Sequence, residues 1–132
     1  MAESPETPTK LNLNSVEARD LDEFDPRLKA VGYELRPEEM RPSVWQFDPD
    51  ERMNRHYHEE QEELYHVLSG RFVLELGESG EEEMELEAGD VTVVAPETVR
   101  QLRCVEPGEV FVVGAPPVKD DGVVLEHAGG GE

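Results

Sequence analysis

Three of the chain's four histidines fall in one short segment, Arg55-His56-Tyr57-His58-Glu59-Glu60-Gln61-Glu62-Glu63-Leu64-Tyr65-His66. On an extended strand, residues two apart share a face, so His56 and His58 project together while Tyr57 points the other way. Neutral imidazole suits first-row divalent metals. On the strand that follows, Glu63, Tyr65 and Val67 share one face, and Leu64, His66 and Leu68 share the other. If Glu63 faces the two histidines, His66 is turned away from them. Two imidazoles and a carboxylate on a neighbouring strand can form a 2-His-1-carboxylate set, which leaves metal positions open. The plainer alternative is a solvated His-x-His pair on the surface of an acidic protein.

Such a site needs strands to hold it, and the period of the chain is two. Val31, Tyr33 and Leu35 alternate, and Val44-Trp45-Gln46-Phe47 follows Pro42. Further strands are predicted over Met53 to His58, Glu63 to Leu68 and Phe72 to Leu76, the last two flanking a hairpin signal at Ser69-Gly70-Arg71. Met84 to Leu86, Val91 to Ala95, Val99 to Cys104 and Val110 to Val113 complete the series. Turn residues between them recur about every 8–12 residues, which predicts an antiparallel sandwich or barrel. No segment after residue 30 has the length and pattern of an amphipathic helix. Residues 1–20 are expected to form a flexible or loosely docked arm, 21–126 the barrel and 127–132 a flexible tail. The run Val110 to Val113 is expected to close the barrel.

The histidine segment resembles the first motif of the cupin superfamily: His-x-His, three or four residues, Glu, six residues, Gly. Here it reads His56-Tyr57-His58, Glu63 and Gly70. Asp50 stands where the family usually opens with Gly. A counterpart of the second motif runs from Gly89 through Pro96 to Gln101. Thr98 stands there in place of a frequent Gly, and Gln101 in place of the third metal-binding His. The segment before Pro96 is one residue longer than usual. The resemblance spans roughly residues 30 to 115. It implies an all-β, jelly-roll-like double-stranded β-helix barrel with a divalent metal inside (iron, manganese, zinc or nickel). His56, His58 and Glu63 match ligand positions, and Gln101 takes the fourth. It further implies a homodimer.

Other residues carry weaker signals. Tyr65 points inward if Glu63 does, as a candidate pocket residue or as core filling. An inward arginine could hold an anion, which makes Arg103 a second pocket candidate; Arg100 lies on the opposite face of that strand. Trp45 and Phe47 read as core or dimer interface. Cys104 lies in an alternating apolar stretch and reads as a small core residue.

The 32 Asp and Glu face 12 Lys and Arg, for a formal charge of −20. That surface repels nucleic acid and anionic membranes. Two readings compete, an acidic partner-binding surface and adaptation to high salt, where screening removes the self-repulsion; the acid excess along the whole chain and the scarcity of lysine favour the second. One cysteine excludes an intrachain disulfide. No apolar run approaches the ~20 residues of a membrane span. Residues Met1 to Lys10 do not read as a signal peptide, and a cytoplasmic location is expected. The function expected is a metal-dependent enzyme acting on a small metabolite (a dioxygenase, isomerase or lyase). The alternative is a non-catalytic small-molecule-binding or sensor protein with a weakened metal site.

Overall fold

The computed structural model of the protein describes residues 8–127. Ten strands carry the fold: β1 (Arg27–Lys29), β2 (Arg41–Phe47), β3 (Arg55–His58), β4 (Glu62–Val67), β5 (Arg71–Leu76), β6 (Glu82–Glu87), β7 (Val91–Val94), β8 (Arg100–Glu106), β9 (Gly108–Ala115) and β10 (Gly122–Glu126). They form two five-stranded antiparallel sheets, ordered β1-β2-β9-β4-β7 and β10-β3-β8-β5-β6. This is the expected all-β barrel.

Alternation along each strand selects what enters the space between the sheets. On β4, Tyr65 and Val67 are buried in the core; on β8, Leu102 and Cys104 are. Phe47 of one sheet meets Phe72 of the other edge to face, with ring centroids 5.0 Å apart. Burying each such side chain stabilises the fold by about 1.5–3 kcal/mol. Gly70, at φ 85°, turns the chain from β4 into β5. A Cβ there would lie 2.6 Å from the carbonyl oxygens of Glu106 and Pro107, so only glycine fits.

Four local expectations are corrected. Ser69-Gly70-Arg71 is no hairpin: β4 and β5 lie in different sheets, and the turn crosses between them. Val31–Leu35 forms one turn of α-helix, α1, instead of a strand. Its alternation is too short to decide the period, and Arg36 ends it in the left-handed region, donating its N–H to the Gly32 carbonyl. Neither β1 nor β10 is foreseen. Val110–Val113 lies in β9 inside the first sheet, and β10 closes the second sheet against β3.

Part of the expected arm falls within the described residues. Leu13–Ser15 forms a 3-10 turn, the Leu13 carbonyl accepts from Lys29 Nζ at 3.0 Å, and Arg19 bridges to Leu28. Residues 1–7 and all but His127 of the expected tail lie outside the described residues. Among the described residues no helix is long and apolar enough to cross a membrane.

Candidate metal centre

β3 supplies His56 and His58 on its inward face, and β4 supplies Glu63 from the opposite sheet. One ligand atom from each converges, all lying within 4.8 Å of one another. His58 Nε2 is 3.4 Å from Glu63 Oε2, and His56 Nε2 is 3.9 Å from Glu63 Oε1.

The far sides of these groups are held by the chain. His56 Nδ1 lies 2.8 Å from the Asn54 carbonyl oxygen. A carbonyl only accepts, so the proton sits on Nδ1 and the Nε2 lone pair faces the centre. His58 Nδ1 lies 3.5 Å from Asp121 Oδ2. That gap is longer than a good hydrogen bond, and Nδ1 is a buried nitrogen with no other hydrogen-bond partner among the described residues. Asp121 is itself buried and fixed by the backbone N–H groups of Glu60 and Gln61, the latter at 2.8 Å. A carboxylate behind one imidazole and a carbonyl behind the other is the outer support that metal-ligating histidines use. The three residues therefore fit a divalent ion.

Glu63 is held asymmetrically. Its Oε1 accepts from Tyr65 Oη and from Arg100 Nη2, both at 2.9 Å. Arg100, wholly buried, also donates to the Thr98 carbonyl at 2.6 Å and through Nε to Tyr65 Oη at 3.4 Å. Oε2 is the oxygen left toward His58. Burial works to raise the Glu63 pKa, but hydrogen bonding with both histidines and the charge of Arg100 outweigh it and hold the carboxyl well below the usual range. Tyr65 goes the other way: burial first, then the Glu63 charge, push its phenol far up, which makes it a neutral donor.

Gln101 does not join this group. Its Oε1 accepts from Arg55 at 2.7 Å and its amide donates to the Met53 carbonyl at 2.9 Å, on the face of the second sheet away from His56. The inward residue is Arg100, paired across to His56. The turn after Pro96 explains the offset. Its left-handed residue is Glu97, at φ 71°, one place before the Gly-equivalent Thr98. β8 thus starts with Arg100 facing in, and Gln101 alternates out. Arg103, two residues on, also faces out and pairs with Glu75 at 3.2 Å, so it is not a pocket residue. Asp50, at the position of the family's first Gly, likewise adopts a positive φ, 71°.

His66 faces outward beside Val91 and Phe111, as its parity requires. Tyr65 does line the cavity, and so do Trp45 and Phe47; Phe47 is also a member of the core, with Trp45 packed against it, as expected. The cavity measures about 700 Å³, and Phe24 packs against Trp45 in its wall, tilted by 48° with centroids 5.1 Å apart. Sequence reasoning missed Asp121, Arg100 as the partner of Glu63, and the cavity wall from residues 24–40. The inward parity of Arg100 relative to Leu102 was the one available signal. Cys104 is a buried core thiol, pushed up to about 11 by burial and then by the acids Glu51, Asp48 and Asp50, and so chemically quiet.

A family model described as a cupin domain matches residues 43–114, more than half of the chain. No curated protein matches. Solved structures do. An uncharacterized conserved protein with a double-stranded β-helix domain from Klebsiella pneumoniae superposes with a TM-score of 0.73 at 20% identity, covering 91% of this chain and 99% of that one. A sugar phosphate isomerase of the cupin superfamily from Silicibacter pomeroyi gives 0.67 at 24% identity, over 81% and 75%. Oxalate decarboxylase from Bacillus subtilis gives 0.70 at 15% identity, covering 93% of this chain and 33% of its own. At these identities the likeness is one of fold.

Proposed function

The chain belongs to the cupin family, and on that premise we propose that it is a single-domain cupin holding one divalent metal on His56, His58 and Glu63 and acting with it on a small metabolite. The observation that carries this reading is the convergence of three donor atoms within 4.8 Å, with the outer nitrogens of both histidines turned to protein oxygens. A mixed imidazole and carboxylate set suits iron, manganese, zinc or nickel. A bound ion with open positions supplies Lewis acidity toward a substrate oxygen.

The chain's own residues do the rest. Asn54 and Asp121 orient the imidazoles, and Arg100 and Tyr65 pin Oε1 so that Oε2 is presented. The test is metal stoichiometry of the wild type and of His58→Ala, purified alike. One equivalent that falls sharply in the variant is expected; equal metal in both overturns the assignment.

A second reading is a non-catalytic ligand-binding or sensor cupin. It is favoured by Arg100, a fixed cation one place from where the family has a third histidine. Turnover of a small metabolite by the metal-loaded protein separates the two.

A further inference from the structure

We propose that the ligand of this site is an apolar-bodied chelator: an oxygen pair for the metal joined to a branched aliphatic or aromatic body, and not a phosphorylated sugar or a small diacid. The head group rests on the metal reading above; the body does not. The cavity of about 700 Å³ is of the size that takes a drug-sized ligand, far more than a two- or three-carbon acid fills. Away from the donor residues its wall is apolar, formed by Phe24, Leu28, Met40, Trp45, Met53 and Val124.

Of the polar side chains in that wall, Ser43 and Gln61 are already engaged, and Tyr33 is exposed at the rim. Ser43 Oγ accepts from Trp45 Nε1 at 3.0 Å, and Gln61 Nε2 donates to the Pro116 carbonyl at 3.1 Å. Sugar hydroxyls would find few partners there. Anions would fare no better. Arg100 is spent on Glu63, Tyr65 and Thr98, and Arg41 is the single Lys or Arg among the lining residues. Arg41 is exposed and already donates to the Val118 carbonyl at 3.4 Å. A phosphate dianion ordinarily needs a bidentate or clustered cation, and a chain of charge −20 repels it at a distance. One carboxylate can be neutralised by a metal; a second anionic group has no built partner.

The experiment compares 4-methyl-2-oxopentanoate, pyruvate and fructose 6-phosphate by calorimetry on metal-loaded and on chelator-stripped protein. The first two share one head and differ by three carbons. Trp45 is the only tryptophan, so its emission reports whether the cavity itself is filled. At about fourfold per buried carbon, with two to three of those carbons buried, the branched acid should bind roughly fifteenfold to sixtyfold tighter than pyruvate, with a change in Trp45 emission. The preference should shrink several-fold in Trp45→Ala and, should that variant fail to fold, in Met40→Ala at the exposed rim. Equal affinity for the two acids, tighter binding of fructose 6-phosphate, or no binding of the branched acid to either form overturns the inference. A preference that persists in protein unable to hold metal supports it while removing the metal reading.

Discussion

Replacing Arg100 by methionine separates the two jobs that this residue does. In the wild type the wholly buried guanidinium touches Glu63, Tyr65 and the Thr98 carbonyl. Methionine fills similar space but leaves Glu63 as a buried carboxylate without its fixed cation. Removing one partner of a buried pair costs about 3–5 kcal/mol. For a chain of this length, each kcal/mol is worth about 4 °C in Tm, so a fall of roughly 12–20 °C is expected in metal-free protein. A divalent ion supplies the missing charge from the Oε2 side. The variant should therefore bind zinc or nickel at least tenfold tighter than the wild type, and at saturating metal its stability deficit should shrink by at least about 1.4 kcal/mol. Urea unfolding with and without metal, together with a metal titration, reads both numbers. A deficit as large with metal as without, or weaker metal binding in Arg100→Met, would refute the idea that Arg100 and the metal share one carboxylate.

Four further outcomes are expected. Gln101→His should leave metal affinity within about twofold and cost about 1–3 kcal/mol, because it breaks bonds to Arg55 and Met53 outside the centre; a tenfold gain in nickel affinity would put residue 101 back in the site. Burial tends to raise the Glu109 pKa, but hydrogen bonding from Lys29 (2.8 Å) and Gln46 (3.0 Å), with the Lys29 charge, lowers it overall. Its contribution to stability is thus complete above the ordinary carboxylate pKa of about 4.3 and disappears as pH falls through the depressed folded value, so urea unfolding at pH 6 and 3.5 should show a smaller acid loss in Glu109→Gln than in the wild type. Thermal stability should rise from low to multimolar KCl as the charge of −20 is screened, with a dimer by sedimentation in the same buffers; flat stability counts against salt adaptation, and a clean monomer at micromolar concentration against the dimer.

The strand parity of the histidine segment was readable because the period of two is fixed by backbone geometry, whatever the tertiary context. It put His56 with His58, and Tyr65 on the Glu63 face opposite His66; that Glu63 meets the histidines was what the resemblance to the first motif implied. Pairing partners were not readable, because a short apolar run does not say which sheet it joins; β4 and β5 looked like a hairpin for that reason. The fourth position failed on one turn. Motif spacing assumed that the chain re-enters the sheet at a fixed count after Pro96, whereas Glu97 takes the left-handed conformation one residue early. Asp121 had no local signal at all, since its role depends on β10 folding back against β3.

That last pairing has a consequence for how the protein assembles. The three donor residues lie within eight positions of one another, and Asn54 and Tyr65 support them locally, yet the other two groups that orient them arrive late in the chain: Arg100 with β8, then Asp121 just ahead of β10. On a ribosome the donors would emerge long before these two supports. Pairing of distant segments is the slow part of building such topologies. The centre should accordingly be among the last features to become native, and a metal ion meeting the nascent segment earlier would find loose ligands without the geometry to select it.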